Sequence, residues 1–126
     1  MSLQHGDTFF PSGGIAFSWG LETLHADGLL CSATEVQQFL HGQLKHRWST
    51  CDRIALVRVH QCAGDLDRVA ACDTELEVLA LARELREGSR RAGATLLRVH
   101  SQLGTPQADI YREKVRDGFA YGHVAA

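Results

Sequence analysis

The placement of proline constrains this chain more than any other feature. Only two prolines occur in 126 residues, Pro11 and Pro106, one near each end. Proline removes a backbone donor and clashes with the preceding helical turn, so the long stretch between them lacks the strongest helix breaker. No strand-like alternation persists there, whereas apolar residues recur at helical spacing. The pattern predicts an all-α fold, a compact bundle of about five to six helices with one long central helix. Its length fits a single domain over residues 1–126.

Leu3 to Ser12 reads as an extended approach in which Pro11 biases Phe10 away from the α region. A first helix is expected from about Gly14 to His25, closing at Asp27-Gly28, where glycine can take the left-handed conformation that ends helices. Ser32-Ala33-Thr34-Glu35 has the form of a capping box. Behind it Val36, Phe39, Leu40, Leu44 and Trp48 share one helical face. Asp52 is the expected N-cap of a third helix running to Ala63 and stopped by Gly64. Ile54, Leu56, Val57 and Val59 make that helix apolar on more than one side, which predicts a central position. A short fourth helix is expected over Leu66 to Ala71.

From Asp73 the long helix is expected, with Val78, Leu81, Leu85, Ala92, Leu96, Val99 and Leu103 as its stripe. Gly88, Ser89, Ala92 and Gly93 are small enough to let another backbone approach. That offers a packing reason to accept glycine's helix cost of about 1 kcal/mol. Beyond Gly104-Thr105-Pro106 a short helix is expected around Ala108 to Val115. The last residues, Phe119 to Ala126, read as the start of a further apolar segment.

Composition excludes several function classes. The formal net charge is −2, with no basic excess to draw nucleic acid. No run of apolar residues is long enough for a membrane span, and no secretory signal pattern opens the chain. Cys31, Cys51, Cys62 and Cys72 contain no C-x-x-C pair, so they read as reduced, mostly buried thiols of a cytosolic protein rather than a zinc site. The seven histidines include His41 and His46, five apart and thus on diverging sides of a helix. Solvated or core-edge histidines are the better reading than a metal site preformed within one chain. The P-loop, the nucleophile elbow, the H-E-x-x-H pair and the dinucleotide fingerprint are all absent, and no nucleophile–base pair can be named.

Two stretches invite a binding role. Glu84, Arg86, Glu87, Arg90 and Arg91 form a mixed-charge cluster, either a solvated face with a Glu87–Arg91 pair or a docking surface for partner carboxylates. Pro11-Ser12-Gly13-Gly14 leads into a helix, where backbone N–H groups could cradle an anion, although a tight close-packed turn explains such glycines more simply.

The segment Phe10-Pro11-Ser12-Gly13-Gly14-Ile15-Ala16-Phe17-Ser18-Trp19-Gly20-Leu21-Glu22 resembles the N-terminal signature of the UreF family of urease accessory proteins. A second stretch, Arg83-Glu84-Leu85-Arg86 followed by Ser89, Gly93 and Leu96, is similar to the family's central helix. The resemblance covers nearly all of this chain but only roughly the first half to three-fifths of the family length, so the chain reads as truncated relative to the family. Gly118-Phe119-Ala120-Tyr121-Gly122 resembles a family segment that normally carries a proline and often a histidine just before it, where Asp117 and Gly118 stand here.

The resemblance implies an all-helical, cytoplasmic, non-catalytic chaperone of metalloenzyme maturation that needs no cofactor of its own. It implies a homodimer that bridges the accessory protein UreD (also called UreH) and the GTPase UreG on apo-urease, supporting nickel insertion. Pro11, Gly13, Gly14, Phe17, Ser18, Gly20, Leu21 and Glu22, together with Glu84, Arg86, Ser89, Arg90 and Gly93, are the residues it marks for partner binding or fold. Two alternatives stand beside it: a nickel-binding helical module acting as a dimer, and a truncated UreF-like fragment without function. Truncation also predicts apolar surface left exposed.

Overall fold

The structure is a computed structural model that describes residues 20–126. The Pro11–Gly14 turn, the start of the first helix and the signature residues Pro11, Gly13, Gly14, Phe17 and Ser18 lie outside the described residues.

Gly20 opens the description at φ +86°, a backbone region that a β-carbon disfavours, and from it helix α1 runs over Leu21–Ala26. Gly28, at φ +71°, closes it as expected. The returning chain is held where His25 Nδ1 meets the Leu30 carbonyl at 2.7 Å.

Helix α2 occupies residues 33–61. Its start is the predicted capping box: Ser32 Oγ accepts from the Glu35 N–H, and the Glu35 carboxylate accepts from the Ser32 N–H at 2.8 Å. The same carboxylate accepts from Cys31 N–H, and these hydrogen bonds, the Cys31 one foremost, hold its pKa below the ordinary value.

The expected break before Asp52 does not occur. The helix passes from α-helical Ala33–Gly42 through π-helical Gln43–Asp52 to α-helical Arg53–Gln61, and Asp52 has helical dihedrals and caps nothing. The wider turn explains its partner: Arg47 Nε lies 3.3 Å from Asp52 Oδ2, five residues away, a spacing that suits i→i+5 winding. Ser49 and Thr50 bond back to the carbonyls of Lys45 and His46, side-chain competition of the kind that bends or loosens helices. Nor is the C-terminal part of α2 central, since Ile54, Leu56 and Val57 are all exposed and only Val59 turns toward the core.

Helix α3, Leu66–Leu79, begins where Asp65 Oδ1 accepts from the N–H groups of Asp67 and Arg68 at 3.1 and 3.2 Å. It does not stop at Ala71 as expected. The predicted continuous helix from Asp73 breaks instead at Ala80, and helix α4 covers Arg83–Gln102. No glycine or proline marks that break. The freed Ala80 carbonyl is satisfied by Arg86 Nη1 at 3.0 Å, and across the turn Glu77 of α3 meets Arg86 and Arg90 of α4. The stripe drawn through both helices is thereby cut: Val99 is buried while Val78 and Leu81 face outward.

Helix α5, Ala108–Arg116, matches its expected position. Gln107 before it is left-handed at φ +65°, and its side-chain amide donates to the Gly64 carbonyl at 2.9 Å, tying two corners together. The chain ends in a single 3₁₀ turn, His123–Ala125. All regular elements among the described residues are helical, so the fold is all-α. The core is Cys62, Val69, Cys72, Leu97, Tyr111 and Ala120, where the end of α2, helices α3 to α5 and the C-terminal turn converge.

Candidate functional site

Asp73 is the least exposed side chain of the chain's described part, at 0%. Sequence placed it at the start of a helix; it sits instead in mid-α3, where its carboxylate accepts from three backbone N–H groups of the C-terminal segment. Oδ2 takes Tyr121 and Gly122, the latter at 2.7 Å, and Oδ1 takes Val124 at 2.9 Å. Those donors are the open N-terminal end of the 3₁₀ turn, so Asp73 caps that turn across about fifty residues of sequence, by the same attraction that favours anions at helix starts. Tyr111 packs beside it. Its hydroxyl has no partner at hydrogen-bonding geometry among the described residues, and burial first, then the Asp73 charge, pushes the phenol's pKa upward.

One turn further along α3, Glu77 faces the same way. Arg90 of α4 grips it with two nitrogens, Nε at 2.9 Å, and Arg86 Nε stands 3.3 Å away. His123 Nε2 completes the shell at 2.6 Å, while its Nδ1 meets Ser89 Oγ at 2.9 Å. Burial would raise the Glu77 carboxyl, but hydrogen bonds from Arg90 and His123 outweigh it and hold its pKa below the ordinary value. Tyr121 closes the outer side, with the Arg90 guanidinium 4.9 Å from its ring centre and its ring stacked on His123.

Beneath this shell the backbones of α4 and the C-terminal segment touch. A β-carbon at Gly93 would stand 1.8 Å from the Gly122 carbonyl oxygen. The small-residue reading of α4 therefore holds at Gly93, and the backbone that approaches is the chain's own terminus.

The string Ser89–His123–Glu77 has the composition of a hydrolytic triad. Its geometry is otherwise: serine meets Nδ1 and glutamate Nε2, the reverse of the order in which a base activates its nucleophile. The carboxylate is already held by two guanidiniums, and Ser89 and His123 line neither of the two recesses between α2 and α3. The cluster is a latch that ties the C-terminal segment to the α3–α4 pair.

Of the residues marked in sequence, the structure brings Arg86, Ser89, Arg90 and Gly93 together in this latch. Glu84 is exposed outside it, and the expected Glu87–Arg91 pair is replaced by Arg83–Glu87 at 2.7 Å. Gly20, Leu21 and Glu22 open α1, on a separate element. Asp73, Glu77, Tyr121 and His123 were missed. Their one sequence signal is an acidic pair four residues apart, beginning directly after Cys72 and Ala71 in a turn that is otherwise apolar.

Among the described residues no three His, Cys, Asp or Glu side chains converge to hold a metal. Nor is any described helix long and apolar enough to cross a membrane. The described residues thus define an all-α chain whose C-terminal segment is latched to its own helices. The UreF family model matches residues 30–126, and the chain belongs to the UreF family. It is 32% identical over 126 residues to the urease accessory protein UreF of Lachnoclostridium phytofermentans, covering 98% of this chain and 55% of that one. The UreF of Trichodesmium erythraeum is 37% identical over 101 residues, covering 79% and 44%, and that of Haemophilus influenzae strain KW20 31% over 121 residues, covering 90% and 52%. The chain thus spans about half the length of the curated relatives it matches. No solved structure matches it.

Proposed function

We propose that this chain is a non-catalytic, cytoplasmic accessory protein of urease maturation that supports nickel insertion. In this reading it bridges a UreD/UreH-type protein and a UreG-type GTPase on apo-urease and works as a homodimer. The observation that carries the reading is membership of a family whose relatives are named urease accessory proteins.

The surface is consistent with a docking role. Leu40, Leu44 and Trp48 lie exposed along α2, Leu81 is 89% exposed at the α3–α4 turn, and Phe119 is 72% exposed before the C-terminal latch. Interaction proteins leave apolar side chains outward where a partner will cover them. The charged docking face is narrower than sequence suggests, because Arg86 and Arg90 are engaged by Glu77 within the chain. Glu84 and Arg91 are the exposed members left for a partner.

Size-exclusion chromatography with light scattering tests this, using the chain alone and mixed with cognate UreD and UreG. A stable ternary assembly that Glu84→Arg weakens is the expected result. A chain that ignores both partners would overturn the bridging role and favour a UreF-like fragment without a working surface. The nickel-module alternative would have to draw its ligands from two copies, and nickel titration at low micromolar concentration separates it.

A further inference from the structure

Two of the four cysteines, Cys62 at the end of α2 and Cys72 in α3, are buried and free, while Cys31 is exposed and Cys51 half-buried. Both belong to one core cluster, and both line the same recess between α2 and α3. Cys62 Sγ also donates to the Arg58 carbonyl at 3.2 Å. The Arg58 guanidinium grips Glu75 of α3, its Nη2 donating at 2.8 Å, so an ion pair joins the same two helices that carry the two cysteines. A cavity of 210 Å³ opens onto the pair, lined by Arg58, Gln61, Arg68 and Ala71 besides the cysteines themselves. Core thiols are ordinarily inert because nothing reaches them. Here two line one recess whose wall also carries Arg58 and Arg68, so a small oxidant has a route to both.

We propose that Cys62 and Cys72 are a thiol–disulfide pair, oxidised by a peroxide that enters through this cavity. One thiolate attacks a peroxide oxygen and the O–O bond breaks, leaving a sulfenic acid and hydroxide, which takes the thiol proton as water. The second thiolate attacks the sulfenic sulfur, the S–S bond forms, and hydroxide leaves as a second water. Two thiols and one hydrogen peroxide give one disulfide and two waters, and a dithiol reductant reverses the product. The bond would lock the α2–α3 corner beside the core. It acts on the chain whether or not the accessory reading holds. Burial, followed by contact with Cys62, pushes the Cys72 thiol's pKa up, so the pair reacts slowly compared with an exposed low-pKa thiol.

The test is hydrogen peroxide treatment of the folded chain, alkylation of remaining thiols, trypsin digestion and mass spectrometry. The peptides Val59–Arg68 and Val69–Arg83 should appear joined, with titratable thiols falling from four to two and returning to four after dithiothreitol. In Cys62→Ser, or in Cys62→Ala if the serine variant folds poorly, Cys72 should stop at a sulfenic acid that dimedone traps. The same reaction in urea should join the two peptides more slowly than in buffer, because unfolding separates the thiols. Peptides that stay separate, linkage through Cys31 or Cys51 instead, or equal rates in urea and buffer would each overturn the proposal.

Discussion

Asp73 shows how much one side chain can organise when it is buried and fully used. A carboxylate with no solvent contact is tolerated because three backbone donors surround it. Asp73→Ala should leave those donors unsatisfied, costing about 1–3 kcal/mol for each that water cannot reach. Asp73→Asn should cost less, since the amide oxygen keeps part of the acceptor set. Urea denaturation midpoints of the two variants would rank them. Glu77 adds a pH dependence. Its folded pKa is depressed, so the stability it contributes is fully present above the unfolded carboxyl value of about 4.3 and is lost as pH falls through the folded value. Glu77→Gln should therefore be less stable than the parent at neutral pH, and the gap should close below about pH 4. Thermal melts across that range would show it. At the alkaline end, Tyr111 should resist ionisation in the folded chain, and its late tyrosinate absorbance should coincide with unfolding.

Among the elements, α4 carries the most specific constraint. Gly93 cannot accept a β-carbon while the Gly122 carbonyl oxygen stands where it does. Gly93→Ala should force the C-terminal segment off α4 and destabilise by about 1–3 kcal/mol or more. Proteolysis should then release that segment first, whereas an unaltered digestion pattern would speak against the contact. The capping box of α2 is a local device: Ser32→Ala should cost about 0.5–2 kcal/mol of that helix's stability and leave the distant latch untouched. The N-terminal half of α2 has its apolar face outward among the described residues, as Leu40, Leu44 and Trp48 show.

For the whole molecule, the core gathers at one end, around Cys62, Leu97 and Tyr111, while exposed apolar side chains are spread along α2, the α3–α4 turn and Phe119. Such a distribution should drive concentration-dependent association. Light scattering of the purified chain is expected to show it, and Leu40→Glu combined with Leu44→Glu should reduce it without loss of circular-dichroism helicity.

Local chemistry was legible in the residues. The capping box at Ser32–Glu35, the glycine stops at Gly28 and Gly64 and the position of α5 depend on side chains a few residues apart, as does the recognisable family signature. So does the small-residue patch around Gly93, although its partner was not visible. The through-running α2 could not be read the same way, because Asp52 is as good a cap as a mid-helix partner for Arg47. The break at Ala80 was equally hidden. Residues 79–82, Leu-Ala-Leu-Ala, are good helix formers, and the turn there is compensated by Arg86 reaching Ala80 and Glu77 and by Arg90 reaching Glu77. Asp73 and His123 acquire their roles from partners thirty to fifty residues away, at separations where no periodicity survives, and Glu77 adds to His123 the arginines of the next helix. Short-range hydrogen bonding and apolar spacing therefore determined which segments are helices, while long-range charge pairing and one glycine–glycine contact decided where they turn and what holds the end of the chain.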